Sequence, residues 1–267
     1  MGLVNIQPLS RALTGNSWHG RFHTVVFSAN DPSLIEKYKT LQTFPVEYVV
    51  NVPKTWATKY IANAVPPLAV ANWILRNRLD DYIPRRISLM VDLFAGIGGW
   101  ALALCYYLRY RINRIIAIDI DKRALMLYKL NIERLCGIKV DTLTRDIMSL
   151  NTLPDSDIVV MSPPCESVSS ANIMNTTCEP ALSLTRKALA LVKSINTRLT
   201  LYEEAPTKHQ CRGILIEILR KHNFYTQYVN LMNLGSLNSR KRLLAFMVSD
   251  LNVKTQEDKI EVMGYDS

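Results

Sequence analysis

The chain has 267 residues, 48% hydrophobic and 21% charged, with 32 Lys and Arg against 23 Asp and Glu for a net charge of +9. That length and balance describe a core-forming globular protein and exclude a collagen-like or charge-swollen disordered chain. The positive excess favours a polyanionic partner, although many basic proteins bind none.

The opening "MGLVNIQPLSRALTG" lacks a charged start followed by an apolar core, so no secretory signal is expected, and Ile6 stands where a myristoylation signal takes Ser or Thr. The first 86 residues hold one expected helix, "PPLAVANWILRNRL" (66–79), opened by a proline pair. Irregular chain is expected before it, and "LDDYIPRR" (79–86) reads as a short linker. From Ile87 the pattern alternates. "ISLMVDLF" (87–94), "RIIAID" (114–119), "IKVDTL" (138–143), "DIVVM" (157–161), "RLTLY" (198–202), "FYTQYVNL" (224–231) and "RLLAFMV" (242–248) read as strands. Helical periodicity fills "WALALCYYLRYR" (100–111), "DKRALMLYKLNIERLC" (121–136), "PALSLTRKALALVKSI" (180–195) and "HQCRGILIEILRKH" (209–222). Continuously apolar strands alternating with helices predict an α/β fold, a doubly wound, seven-stranded, mostly parallel sheet covered on both faces. Only "MNLGSLNSRK" separates the last two strands, which predicts an antiparallel partner at the sheet edge.

The longest apolar stretch, "WALALCYYL" (100–108), is about half a membrane span, so no membrane partner is expected. Five cysteines (105, 136, 165, 178 and 211) form no C-x-x-C pair and no Cys/His cluster. That predicts a reducing, cytoplasmic setting and no metal site.

Chemistry gathers at the strand ends. "VDLFAGIGGW" (91–100) places Gly96, Gly98 and Gly99 where a strand opens into a helix, a junction that lets backbone approach a ligand. The next strand ends in Asp119, suited to ribose hydroxyls or to capping the following helix. Asp146 follows the third strand. Together these favour a dinucleotide or adenosyl cofactor and leave hydride and methyl transfer both open. After the fourth strand, "MSPPCESVSS" sets Cys165 behind two prolines, either as a small buried hydrophobe in a turn or as a presented thiol.

"DLFAGIGG", "AIDID", "RDI", "SPPC", "EEAP" and "NSRKR" follow the order and spacing of the DNA cytosine-5 methyltransferases, which this chain resembles. "SLIEKYKTLQTFPVEY" (33–48) and "KYIANAVPPLAVANWIL" (59–75) resemble the two motifs that ordinarily close the family's sequence, and here they open it. The resemblance therefore implies a circular permutation. It divides the chain into a segment 1–86 carrying the closing motifs, a catalytic and cofactor-binding core 87–248, and a tail 249–267.

What the resemblance implies about chemistry is specific. The fold is the Rossmann-like sheet of S-adenosylmethionine-dependent methyltransferases, the cofactor S-adenosylmethionine and the partner DNA. Cys165 supplies the thiolate that adds to carbon 6 of a flipped cytosine, and Glu203 the proton for nitrogen 3. Arg240 and Arg242 hold the base and the catalytic loop. Phe94 packs on adenine, Asp119 holds the ribose, and Asp146 the adenine amino group. Ala95, Gly96, Gly98, Gly99, Ile120, Ile147 and Pro164 complete the cofactor pocket, with Asn63 near the methionine end. Residues 166–180 resemble the mobile loop that closes over the base, with Cys178 a bystander. Ala62, Glu166, Glu204 and Asn238 stand where the family usually has Gly, Gln, Asn and Gln.

The family normally carries a target-recognition domain between "NSRKR" and "LQTFP". Only residues 249–267 and a few at the front are available for it, whereas an independent domain takes about 50. A separate recognition subunit, or slight sequence specificity, is the expectation. "MSPPC" and Asn-Ser-Arg also resemble the tRNA-methylating branch, so RNA is an alternative substrate. A non-catalytic S-adenosylmethionine-binding module and a dehydrogenase are two further functions compatible with the glycine turn.

Overall fold

The computed structural model describes residues 31–164, 178–205 and 209–249. Seven strands form one sheet in the order β3-β2-β1-β4-β5-β7-β6. They are β1 (Arg86–Leu93), β2 (Arg111–Asp119), β3 (Lys139–Thr144), β4 (Ser156–Met161), β5 (Thr197–Glu204), β6 (Tyr225–Asn230) and β7 (Lys241–Val248). The pairs β1–β2, β1–β4, β2–β3 and β4–β5 are parallel, and β7 runs antiparallel to both β5 and β6. The expected doubly wound, mostly parallel sheet is therefore present. The antiparallel strand, however, lies one place in from the edge, where it pairs on both sides.

Helices cover both faces. On one lie α3 (Pro67–Arg76), α4 (Gly99–Leu102) and α5 (Lys122–Cys136), sharing a core with Met90, Ile115, Val160, Leu201 and Phe246. On the other lie α6 (Glu179–Lys193) and α7 (His209–Lys221), packed on Val91, Val159, Tyr202 and Ala245. Alternate residues of one strand thus enter different cores, which is why these strands read as continuous apolar runs. α5 begins where the Asp121 side chain accepts the N–H groups of Arg123 and Ala124, and ends at Gly137, whose φ of 66° suits glycine.

Four expectations need correction. The chain before residue 66 is not all irregular: α1 (Leu34–Leu41) and α2 (Lys54–Asn63) precede α3. The supposed linker is a 3-10 turn over Leu79–Tyr82, with Leu79 fully buried and Ile83 nearly so. α4 does not reach Arg111; it passes into a π-helical turn over Ala103–Tyr107, because β2 already begins at Arg111. Finally, Cys105 is bonded to Cys136 and Cys178 to Cys211, against the expected reducing setting and against Cys178 as a bystander. The partners lie 31 and 33 residues apart, joining helix ends that only the folded sheet brings together.

The segment before β1 is part of the same core. Tyr48, Ile61, Trp73 and Ile74 are essentially fully buried in the cluster that holds Ile87 and Phe246. Polar bonds reinforce this contact. Asn72 Nδ2 donates to Leu234 O at 2.9 Å, Trp73 Nε1 to Gln227 Oε1 at 2.6 Å, and Arg240 Nη1 to Ala62 O at 2.8 Å. Burying a side chain as large as Trp73 stabilises such packing by about 3 kcal/mol. Among the described residues no helix is long and apolar enough to cross a membrane.

Candidate active site

The strand ends that the sequence singled out meet at one edge of the sheet, the carboxyl edge of β1, β2, β3, β4 and β5. After β1 the backbone turns sharply through Phe94 at φ 58°, Gly96 at φ 51° and Gly98 at φ 87°. The three glycines do different things there. A Cβ on Gly96 would meet nothing within 4 Å, so Gly96 leaves open space. A Cβ on Gly98 would come within 3.1 Å of the Tyr128 ring, and one on Gly99 within 2.3 Å of the Val65 carbonyl oxygen. Gly98 is favoured by its φ of 87°, and Gly99 is required by packing against the backbone of the segment before β1.

Asp119, at the end of β2, buttresses this turn. Its Oδ2 accepts the Gly96 N–H and its Oδ1 the Asp121 N–H, both at 2.8 Å. Burial pushes its carboxyl above the ordinary range, and those N–H bonds oppose the shift. Helix capping belongs to Asp121, not to Asp119. Ile120 beside it is 72% exposed, a large apolar surface facing outward. Trp56 of α2 stands nearby, with the Arg123 guanidinium 4.6 Å from its ring centroid, and Tyr60 donates to Asp121 Oδ2 at 2.7 Å. Trp56, Ile120 and Arg123 line a depression of about 390 Å³. Asp146 accepts the Met148 N–H through Oδ1, and Ile147 is buried. Ala95 is buried and donates its N–H to Ile118 O. These groups fit an adenosyl ligand: an open glycine turn, carboxylates at two strand ends and an exposed apolar side chain.

On the reactive side, β4 leads into Ser162, whose Oγ accepts from Trp100 Nε1 at 2.9 Å, and then to an exposed Pro164. Cys165 and residues 166–177 lie outside the described residues. One strand over, Glu203 is 7% exposed and forms an ion pair with Arg242, Nε to Oε1 at 2.8 Å. Arg242 and Glu203 point to the same face, since Leu244, two residues from Arg242, is the cross-strand partner of Glu203. Arg240 is buried but turned to a different task, donating to the carbonyl oxygens of Ala62 and Ala64 at the end of α2. Asn63 between those two residues is exposed.

Three residues that sequence reasoning did not single out support this edge. Tyr48 donates to Ile97 O inside the glycine turn at 2.5 Å. Tyr128, whose ring underlies Gly98, donates to Asp92 Oδ2 at 2.9 Å, and burial pushes the Asp92 carboxyl well above its ordinary range. Gln42 donates to Ala62 O at 3.1 Å. In one sequence such residues look like ordinary core and surface positions. A larger depression of about 540 Å³ lies at the opposite edge, but its acids are engaged: Asp157 accepts the Ser88 and Leu89 N–H groups, and Asp155 those of Asn196.

Residues 89–258 match the family model described as C-5 cytosine-specific DNA methylase. The type II methyltransferase M1.ScrFI of Lactococcus lactis subsp. cremoris is 24% identical over 180 residues, 66% of this chain and 41% of the relative. The chain thus spans about two fifths of that protein's length. Among solved structures, magnesium protoporphyrin IX methyltransferase from Synechocystis PCC 6803 aligns with a TM-score of 0.47 at 12% identity, covering 80% of this chain and 91% of that one. An S-adenosylmethionine-dependent methyltransferase from Clostridium acetobutylicum gives 0.47 at 12%, covering 71% and 94%.

Proposed function

The chain belongs to the C-5 cytosine-specific DNA methylase family, and from that premise we propose that it transfers the methyl group of S-adenosylmethionine to carbon 5 of cytosine in DNA. The observation that carries the reading is the buried Glu203–Arg242 pair at the end of β5, one strand from the β4 end that leads to Cys165. Bound at the Gly96 turn, S-adenosylmethionine supplies an electrophilic methyl sulfonium. Asp119 would accept from its ribose hydroxyls and Asp146 from its adenine amino group, with Phe94 against the adenine and Ile120 completing the pocket.

Carbon 5 of cytosine is a weak nucleophile. Addition of the Cys165 thiolate to carbon 6 forms a C–S bond and moves the ring's electron pair toward nitrogen 3. Glu203 donates the proton received there, and Arg242 fixes its carboxyl in place. After methylation, the carbon 5 proton passes to solvent water, the C–S bond breaks to expel the Cys165 thiolate, and the nitrogen 3 proton returns to Glu203, which restores the ring. The target atom is out of reach in a stacked duplex, so the base is flipped out.

We read residues 33–48 and 59–75 as the family's closing motifs carried at the front of the chain. The support is the Val65 carbonyl against Gly99 and the Ala62 carbonyl on Arg240, which put that segment beside the cofactor turn. Phosphate contacts give affinity without sequence information. A charge of +9 serves that purpose.

Tritiated methyl transfer from S-adenosylmethionine to duplex DNA, single-stranded DNA and tRNA, run in parallel, tests the reading. Labelled DNA, a covalent adduct on DNA containing 5-fluorocytosine, and loss of both in Cys165→Ser with cofactor binding retained are expected. Transfer to tRNA alone would overturn the substrate, and full turnover by Cys165→Ser would overturn the nucleophile.

A further inference from the structure

Beside Glu203 stands a second acid that the proposed reaction does not use. Glu204 closes β5 on the opposite face of the sheet and is 1% exposed. Its Oε1 accepts the Ala205 N–H at 2.9 Å, and its buried Oε2 has no hydrogen-bond partner among the described residues. Its face is the apolar one, shared with Leu243 and Ala245 of β7 and with α6 and α7. In the same layer the hydroxyls of Tyr202 and of Thr185 in α6 are bonded to each other at 3.1 Å. Two carboxyls thus end β5 against one guanidinium, and Arg242 is committed to Glu203.

An ionised carboxylate with an oxygen buried and unpaired is strongly disfavoured, whereas a protonated one keeps its carbonyl acceptor and sheds the charge. We infer that Glu204 is held as a neutral carboxylic acid and is a positioning residue, its carbonyl oxygen fixing the Ala205 N–H and with it the backbone that presents Glu203. The inference rests on the reading of Glu203 as the group that serves the base. Among the described residues, the groups acting on Glu204 are Tyr202 and Glu203 on its own strand and Arg242 on β7; Cys211 of α7 is disulfide-bonded and does not titrate. Burial pushes the Glu204 carboxyl well above the ordinary glutamate range. The Ala205 N–H and Arg242 oppose that shift, and Glu203 adds to it.

The test compares wild type with Glu204→Gln, which keeps the acceptor and removes the proton, and with Glu204→Ala, which removes both. The infrared difference spectrum of wild type minus Glu204→Gln at neutral pH is expected to show the carbonyl stretch of a protonated carboxylic acid. Isotopic labelling of glutamate shifts that band, which separates it from buried Asp92 and allows the measurement on wild type alone should the variant fail to fold. Stability supplies the second arm. A carboxyl whose folded pKa is raised stabilises the fold fully below its unfolded value, near 4.5, and that contribution is lost as pH rises toward the folded value. Through that window Glu204→Gln gains on wild type in folding equilibrium by about tenfold per pH unit. In methyl transfer, Glu204→Gln turns over comparably to wild type, while Glu204→Ala loses kcat with KM for S-adenosylmethionine unchanged. Absence of the band, a pH-independent stability difference, or Glu204→Gln as inactive as Glu204→Ala would overturn the inference. A chain that shows the band and the pH-dependent gain but methylates no cytosine supports the neutral acid and overturns the reading of function.

Discussion

Replacing Gly99 by alanine separates the packing role of the glycine turn from its ligand role. The added Cβ would lie 2.3 Å from the Val65 carbonyl oxygen and 3.1 Å from its carbon, a clash of backbone on backbone that no rotamer relieves. Overpacking of this kind costs about 1–3 kcal/mol. At about 2–4 °C per kcal/mol for a domain of this size, Tm should fall by roughly 2–12 °C. Gly96→Ala is the control: nothing lies within 4 Å of its Cβ, but φ of 51° makes any L side chain strained, by about 1–2 kcal/mol. Because the Tm ranges overlap, the deciding assay is hydrogen exchange over residues 59–75. Gly99→Ala should accelerate exchange in α3 and the end of α2, since the alanine pries Val65 from α4. Gly96→Ala should leave that exchange unchanged and weaken S-adenosylmethionine binding instead. Unchanged Tm and unchanged exchange in Gly99→Ala would refute the claim that this glycine exists for the segment before β1.

Asp119→Ala removes the carboxylate that ties Gly96 to the end of β2 and should weaken S-adenosylmethionine binding by about 1–3 kcal/mol in calorimetry. Unchanged affinity, or tight binding of NAD, would overturn the methyltransferase reading of the glycine turn. The Cys178–Cys211 bridge closes a loop of 33 residues and should stabilise the fold by about 3–4 kcal/mol. Denaturant unfolding of Cys211→Ser against oxidised wild type measures it, and equal midpoints would show that the bridge constrains nothing.

Much of the sheet was legible because each strand lies between two helical layers, so that Ile158, Val159 and Val160 are all buried and leave an unbroken apolar run. What the sequence concealed follows from contacts made at a distance. α1 is only eight residues long and α2 carries little apolar periodicity, and buried Lys39 in α1 is tolerated because Nζ reaches the Val46 carbonyl oxygen and Glu36. α4 looks about three turns long by pattern, but the π-helical turn ends it early so that β2 can start. Strand periodicity carries no information on neighbours, so nothing local said that β7 would enter between β5 and β6. At the candidate site, Asp119 drew attention through type and position, and Glu203 through the family resemblance. Tyr48, Tyr128 and Gln42 did not, since their value lies in partners such as Ile97 and Asp92 to which sequence spacing gives no clue.

The bonds from the segment before β1 also set the order in which this molecule can be assembled. Ala62 waits for Arg240, Asn72 for Leu234 and Trp73 for Gln227, partners 178, 162 and 154 residues downstream. As the chain leaves the ribosome, α3 emerges early with Val70, Trp73 and Ile74 destined for burial, yet much of what covers them is made last. Closing so wide a loop is entropically slow, and high contact order lowers the folding rate. For that interval the nascent chain exposes an apolar helix face, the kind of surface that chaperones shield. The glycine turn gains its Val65 wall early, but the Arg240 clamp on Ala62 closes only when β7 arrives.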